Sequence, residues 1–182
     1  MQLASVDGLE GTTLGRLSTD LGMSKSSLQA LFPSKLDLQL ATIAAAYDVF
    51  ASRVLSAPAT TDPGLPSVYA LLDAWIDYQG SFKGGCFFAA AAHEFDDHPG
   101  PVRDALRKAF QDGRQAVAEQ LRLARRFGEI TPDTNLDQLL FEVHGAILEA
   151  NITRQFLADL EAPNRARRAI HDRLAHATNT PS

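Results

Sequence analysis

Cysteine occurs once in the 182 residues, at Cys86, and tryptophan once, at Trp75. A lone thiol excludes an intramolecular disulfide and any cysteine-rich metal site. No run of 18 consecutive apolar residues and no basic-then-apolar leader is present, so neither a membrane span nor secretion is expected and the chain reads as cytoplasmic. β-Branched runs and internal repeats are missing as well, which leaves helical periodicity and an all-α fold class. Positive charge is scarce. The formal net charge is −5, and residues 1–56 hold four basic side chains (Arg16, Lys25, Lys35, Arg53) against five acidic ones (Asp7, Glu10, Asp20, Asp37, Asp48). The whole chain therefore lacks the basic footprint that draws a protein to nucleic acid. No phosphate-binding glycine loop, Ser/His/Asp set or paired carboxylate occurs at a defensible spacing, so no enzyme, no catalytic residue and no cofactor is expected.

What the chain does have is 45% hydrophobic and 21% charged residues, ordinary for a globular protein with a sizeable core. From Thr12 to Lys35 the sequence spells two short helices. Leu14, Leu17 and Leu21 form one stripe, with Thr12 or Thr13 as N-cap and Gly22 beyond the last turn. Ser24 caps a second helix in which Leu28, Leu31 and Phe32 are expected inward and Lys25, Ser26, Gln29 and Ala30 outward. Gly22 and Met23 leave a turn too tight for an antiparallel hairpin, so the pair should cross steeply. A small polar face on the second helix of such a pair suits a DNA major groove, with lysines at its flanks suited to phosphates. Pro33 stops that helix, and Ser34 to Asp37 reads as a capping box for the next.

The run Gly11-Thr12-Thr13, Leu17-Ser18, Leu21-Gly22-Met23-Ser24-Lys25, Leu28, Phe32-Pro33-Ser34-Lys35 and Leu38 resembles the DNA-binding domain of tetracycline-repressor (TetR) family regulators. That resemblance implies that Thr12, Thr13 and Ser24, Lys25, Ser26, Ser27 and Gln29 approach a double-stranded DNA operator and that Lys35 holds a phosphate. Gln29 and Leu31 depart from it, standing where the family commonly has aromatic or His side chains. The family also has a full first helix preceded by basic residues. Met1 to Gly8 resembles a start that falls inside such a helix, which would leave the missing charge, and the cover for Leu17 and Leu28, upstream. Residues 1–45 are thus expected to form the helix-turn-helix domain, and 46–182 a helical effector-binding and dimerisation domain, with about nine helices in all.

Beyond the reader, Leu36, Leu40, Ile43, Ala44, Tyr47, Phe50 and Val54 predict one long helix, the only covalent route to the body, ended by the Pro-rich stretch 57–66. Further helices follow over Leu65 to Phe82, over Cys86 to Phe95 (apolar on all sides), from Pro101 to Arg126, from a capping box at Thr134 to Asp137 as far as Phe156, and from Ala162 to His176. Aromatic residues with a few polar neighbours, among them Gln79, suggest an apolar ligand cavity. The residues expected to line it are Trp75, Tyr78, Phe88, His93, Phe110, Phe141 and His144, the ligand being a small apolar or aromatic effector. The resemblance implies a homodimer through the helices at about 134–158 and 162–176. His93 and His98 stand five apart and share no helix face, so no metal is expected. The function these features predict is a ligand-responsive repressor that binds a palindromic operator and is released by its effector. The alternative is a helical small-molecule-binding protein whose DNA-binding domain is disabled.

Overall fold

Helical spacing prevails throughout the computed structural model, which describes residues 1–178. The helices are α1 (Gln2–Asp7), α2 (Leu14–Leu21), α3 (Lys25–Leu31), α4 (Lys35–Phe50), α5 (Leu65–Tyr78), α6 (Phe87–Phe95), α7 (Pro101–Arg126), α8 (Leu136–Phe156) and α9 (Ala162–Ala177). Among the described residues there is no strand, only an isolated bridge between Ile130 and Thr178. The fold is all-α, as predicted. Two compact units result: Met1–Val49 with Ser81–Phe110, and Phe50–Gly80 with Gln111 onward. The reader's unit therefore includes α6 and the first turns of α7, which a cut at residue 45 does not anticipate. The chain passes between the units at 49/50, 80/81 and 110/111, so α4 is not the only covalent route.

In the first unit α1 and the loop after it are seated on the segment around α6. Gln2 donates to Ser81 O and accepts from Lys83 N, both at 3.1 Å, and Gly84 N donates to Ser5 Oγ at 3.2 Å. The N–H groups of Leu9 and Glu10 donate to the two oxygens of Glu94 at 3.0 and 2.8 Å. Leu9, Leu28, Leu38 and Phe87 are fully enclosed. Leu28 is thus buried without further cover, contrary to expectation. On α4 the inward face is Leu38, Thr42, Ile43 and Ala46, while Leu36 and Ala44 are exposed, a rotation from the predicted stripe. Val6 is exposed too, because α1 rests on its neighbours through Ala4 and Ser5.

In the second unit α8 and α9 pack as neighbours across a five-residue connection, which favours an antiparallel pair. Arg167 of α9 reaches Asp73 and Asp77 of α5 at 3.3 and 2.5 Å, and Arg173 pairs with Glu142 of α8. α8 is capped by Asn135, whose side chain accepts from Asp137 N and Gln138 N, both at 3.1 Å. The cap expected at Thr134 does not form, because its hydroxyl is engaged with Thr131. After α4 the chain runs through a π-helical turn, Ala51–Leu55, that keeps Val54 buried. The stretch Lys35–Thr60 is long and apolar enough, by length and composition, to cross a membrane. Part of its apolar face is packed, with Leu38, Ile43, Ala46, Phe50 and Val54 buried within the units.

A Cβ at Gly84 would lie 1.6 Å from Ser5 O, a backbone atom that cannot yield without moving α1. Gly84→Ala should therefore destabilise the protein by about 1–3 kcal/mol. Thermal unfolding checks this, and an unchanged melting temperature would mean that the loop is not held against α1.

Candidate nucleic-acid interface and effector core

α2 starts where Thr13 Oγ1 accepts from Arg16 N at 3.2 Å, and ends at Gly22, whose φ of 63° is the left-handed conformation open to glycine. Ser24 Oγ then accepts from Ser27 N at 3.1 Å and starts α3 two residues later. Lys25, Ser26, Ser27, Gln29 and Ala30 are exposed, and Leu28 alone of α3 is buried. Leu31, expected inward, is 63% exposed, and Phe32 is half-buried. A helix of seven residues offers the interior little more than one position. Leu21 is also exposed, at the mouth of an apolar cleft of about 410 Å³ lined by Met1, Leu3, Leu17, Leu21, Phe32 and Leu38.

Thr12 does not face outward with its neighbours. It is buried, and its hydroxyl donates to Gly8 O at 2.8 Å, so it closes the loop before α2. Gln29 Nε2 donates to Pro33 O at 2.6 Å, which ties the end of α3 to the turn. Ser34 and Asp37 form the expected reciprocal cap, with Ser34 N donating to the carboxylate at 3.0 Å and Asp37 N to the hydroxyl at 3.1 Å. Lys35, at the start of α4, is paired with Glu10, and Gln39 donates to the second Glu10 oxygen at 2.9 Å. Hydrogen bonding to Lys35, aided by Gln39 and the charges of Lys35 and His98, holds the Glu10 carboxyl below the usual range. Both partners of this ion pair are substantially exposed, so it costs little to open.

The second unit gathers Trp75, Tyr78 and His144. Phe50 meets Trp75 and Tyr78 edge to face, at centroid distances of 5.1 and 5.2 Å, and Trp75 meets His144 at 4.8 Å. Gly113 of α7 makes this possible: a Cβ there would stand 2.6 Å from the indole. His144 is 3% exposed. Burial, with the charge of Arg114 adding to it, pushes its pKa down to about 4, so the imidazole is neutral at pH 7. Gln79, expected only as a polar neighbour of the cavity, is buried one turn beyond Trp75.

Other expected lining residues lie elsewhere. Phe141 is 66% exposed on the outer side of α8. His93 is exposed, because α6 buries one face, Phe87, Phe88, Ala91 and Phe95, and not its whole circumference. Phe88 is buried and Phe110 half-buried, both in the first unit. Glu94, which in sequence stands in a metal-like cluster, serves instead as the acceptor for Leu9 and Glu10. A partner some 85 residues away leaves no local signal. Among the described residues no group of three His, Cys, Asp or Glu is placed to hold a metal. Cys86 is buried, which raises its thiol pKa and keeps it protonated and inert.

Residues 64–170, more than half of the chain, match the family model described as Tetracyclin repressor-like, C-terminal domain. The chain belongs to the TetR family. The fold agrees with solved TetR-family structures. A TetR transcriptional regulator from Chloroflexus aurantiacus superposes with a TM-score of 0.88 at 22% identity, over 97% of this chain and 90% of that one. A TetR-family regulator from Cytophaga hutchinsonii gives 0.84 at 17% identity, over 99% and 91%. One from Streptomyces coelicolor gives 0.81 at 19%, over 97% and 90%. No match was found among curated protein sequences. This TetR-family chain is accordingly a transcriptional regulator.

His144 titrates near 4 when folded and near 6.5 when unfolded. Between those values the unfolded chain binds the extra proton, so this contribution to stability is complete above about pH 6.5 and is lost as pH falls toward 4. The loss amounts to roughly 3 kcal/mol at most. Melting temperatures measured from pH 7 to 4 should fall less steeply for His144→Leu than for the unaltered protein, and parallel curves would refute the buried neutral imidazole.

Proposed function

We propose that this TetR-family regulator is a repressor that binds a palindromic operator as a dimer and releases it when a small, mainly apolar effector occupies the core around Trp75, Tyr78 and His144. The observation that carries the reading is the exposed polar face of α3, with Lys25, Ser26, Ser27 and Gln29 free of the interior and α3 held on α2 by the left-handed turn at Gly22. Short hydroxyl and amide side chains on such a helix fit base edges in the major groove. Thr13, exposed at the N-cap of α2, and Lys35, at the start of α4, are suited to phosphates. The competing reading, a binding protein with a disabled reader, draws on the net charge of −5 and on Glu10, which occupies Lys35.

Operator binding tests the two. DNA from the protein's own locus should be retarded in a gel at low salt. Lys35→Ala should weaken binding to all sequences alike, whereas Ser27 or Gln29 changes should alter sequence preference. Glu10→Gln should strengthen binding roughly two- to fivefold, because it frees Lys35 and removes one negative charge. Retardation of no such DNA, even by the Glu10→Gln protein, would favour the binding-protein reading.

Dimerisation through α8 and α9 is supported by their outer surface. Ala146, Ala150, Ala162, Ala166 and Ala169 line a cleft of about 340 Å³, and Phe141, Ile152, Phe156, Leu157 and Leu160 are exposed around α8 and the turn that follows. Small residues let a second helix pair approach, and exposed large apolar ones need a partner. An isologous four-helix interface meets both conditions. Sedimentation at micromolar concentration should give a dimer, and Phe156→Asp a monomer; a monomeric unaltered protein would remove the two-fold operator from the reading.

A further inference from the structure

Gln79 follows α5 in a 3-10 turn, Gln79–Ser81, and is 1% exposed. Its Nε2 donates to Ile147 O in the middle of α8 at 2.6 Å. That bond fixes which way the amide faces. The other side of the amide, Oε1, is buried, and no hydrogen bond reaches it. A buried carbonyl oxygen without a donor opposes folding, and a leucine of similar size would carry no such cost. The position thus spends stability on an acceptor in an aromatic core whose other buried polar atoms include the Tyr78 hydroxyl and the His144 imidazole nitrogens.

The neighbours define what could supply the donor. Trp75 stands one turn earlier on α5, and His144 one turn before Ile147 on α8, the two rings 4.8 Å apart. Trp75 lies directly on the bare backbone at Gly113, so an occupant of this core must displace the indole to enter. The charge of Arg114, felt at His144, disfavours a cation here, and an unpaired acceptor oxygen disfavours an anion. The acceptor at Gln79 and the aromatic walls together suit a neutral molecule with an apolar body and an O–H or N–H.

Resting on the reading of this core as the effector site, we propose that Gln79 Oε1 is its specificity-determining acceptor and that the effector is a neutral, largely apolar or aromatic compound which donates one hydrogen bond to it. A site that hydrogen-bonds a hydroxyl rejects the analogue lacking it, because the buried acceptor is then left unpaired.

Phenol and toluene, nearly equal in shape, make the test, with binding read from the emission of Trp75. The unaltered protein should bind phenol about 10-fold more tightly than toluene. Gln79→Leu should bring the two affinities together, and Gln79→Met, close to glutamine in length, provides the same comparison should the leucine variant fold poorly. Equal affinities in the unaltered protein, discrimination that survives both substitutions, or no binding of either probe would each overturn the proposal. Operator release is measured separately by gel shift. Phenol that binds with the Gln79-dependent preference yet releases no DNA leaves this site standing and counts against the repressor reading instead.

Discussion

Two backbone N–H groups ahead of α2, those of Leu9 and Glu10, end on one carboxylate, Glu94 of α6. Much of the first unit depends on that strap. Glu10, held by its backbone, presents its side chain to Lys35 and Gln39 at the start of α4. Thr12, three residues after Leu9, turns its hydroxyl back to Gly8 and leaves Thr13 as the cap of α2. The conformation of Gly8, with φ of 81°, serves the same end: a Cβ there would sit 3.0 Å from both Glu94 oxygens. A carboxylate accepting two N–H bonds is a strong, charge-assisted anchor, and here it joins segments some 85 residues apart. The reader is therefore built on residues 81–110 as well as on its own sequence, and those residues run into the second unit at both ends. The chain thus joins the two units at 80/81 and 110/111 as well as at 49/50.

The charge deficit of the chain takes a local form in the same place. Bulk charge of −5 opposes DNA, but affinity is set by the few cations that meet phosphates. Lys25 is exposed beside the Ser24 cap and meets no acidic partner among the described residues, whereas Lys35 is shared with Glu10. An exposed pair of this kind exchanges one oxygen anion for another at little net cost, so under the proposed operator binding Glu10 would tune affinity without abolishing it.

Much of this was legible in the sequence because caps and stripes are local. Thr13, Gly22, Ser24, Ser34 with Asp37, and Pro101 end or begin helices where they were expected to, and the buried positions on α7, from Val102 through Leu106, Ala109 and Val117 to Leu121, follow the 3.6-residue period. What failed is what neighbours decide. Periodicity says that Leu31 and Leu36 belong to apolar faces, and aromatic character places Phe141 at a cavity, yet neither says which face a neighbour covers, and each of these is exposed. The apolar composition of α6 suggested burial all round, but alanines tolerate solvent, and His93 shows which side is open. In the proposed effector core Trp75, Tyr78, His144 and the neighbouring Gln79 were readable as polar-aromatic residues, while the bond from Gln79 to Ile147 was not, because it spans 68 residues.

That bond also bears on how one core could hold two states. Close-packed interiors resist gradual deformation, so a ligand acts by selecting between discrete arrangements, and it shifts their balance only by its difference in affinity for them. In the arrangement described here the indole of Trp75 fills the space over Gly113 and the Gln79 oxygen lacks a donor. One arrangement is thus well packed but imperfectly hydrogen-bonded. A neutral donor ligand would reverse both terms, losing the Trp75 contact with the α7 backbone and satisfying Gln79. A purely apolar ligand would lose the first without gaining the second. Under the proposed effector reading, the balance between packing and hydrogen bonding at two positions one turn apart on the chain would set the differential affinity, commonly about 1–3 kcal/mol in coupled sites.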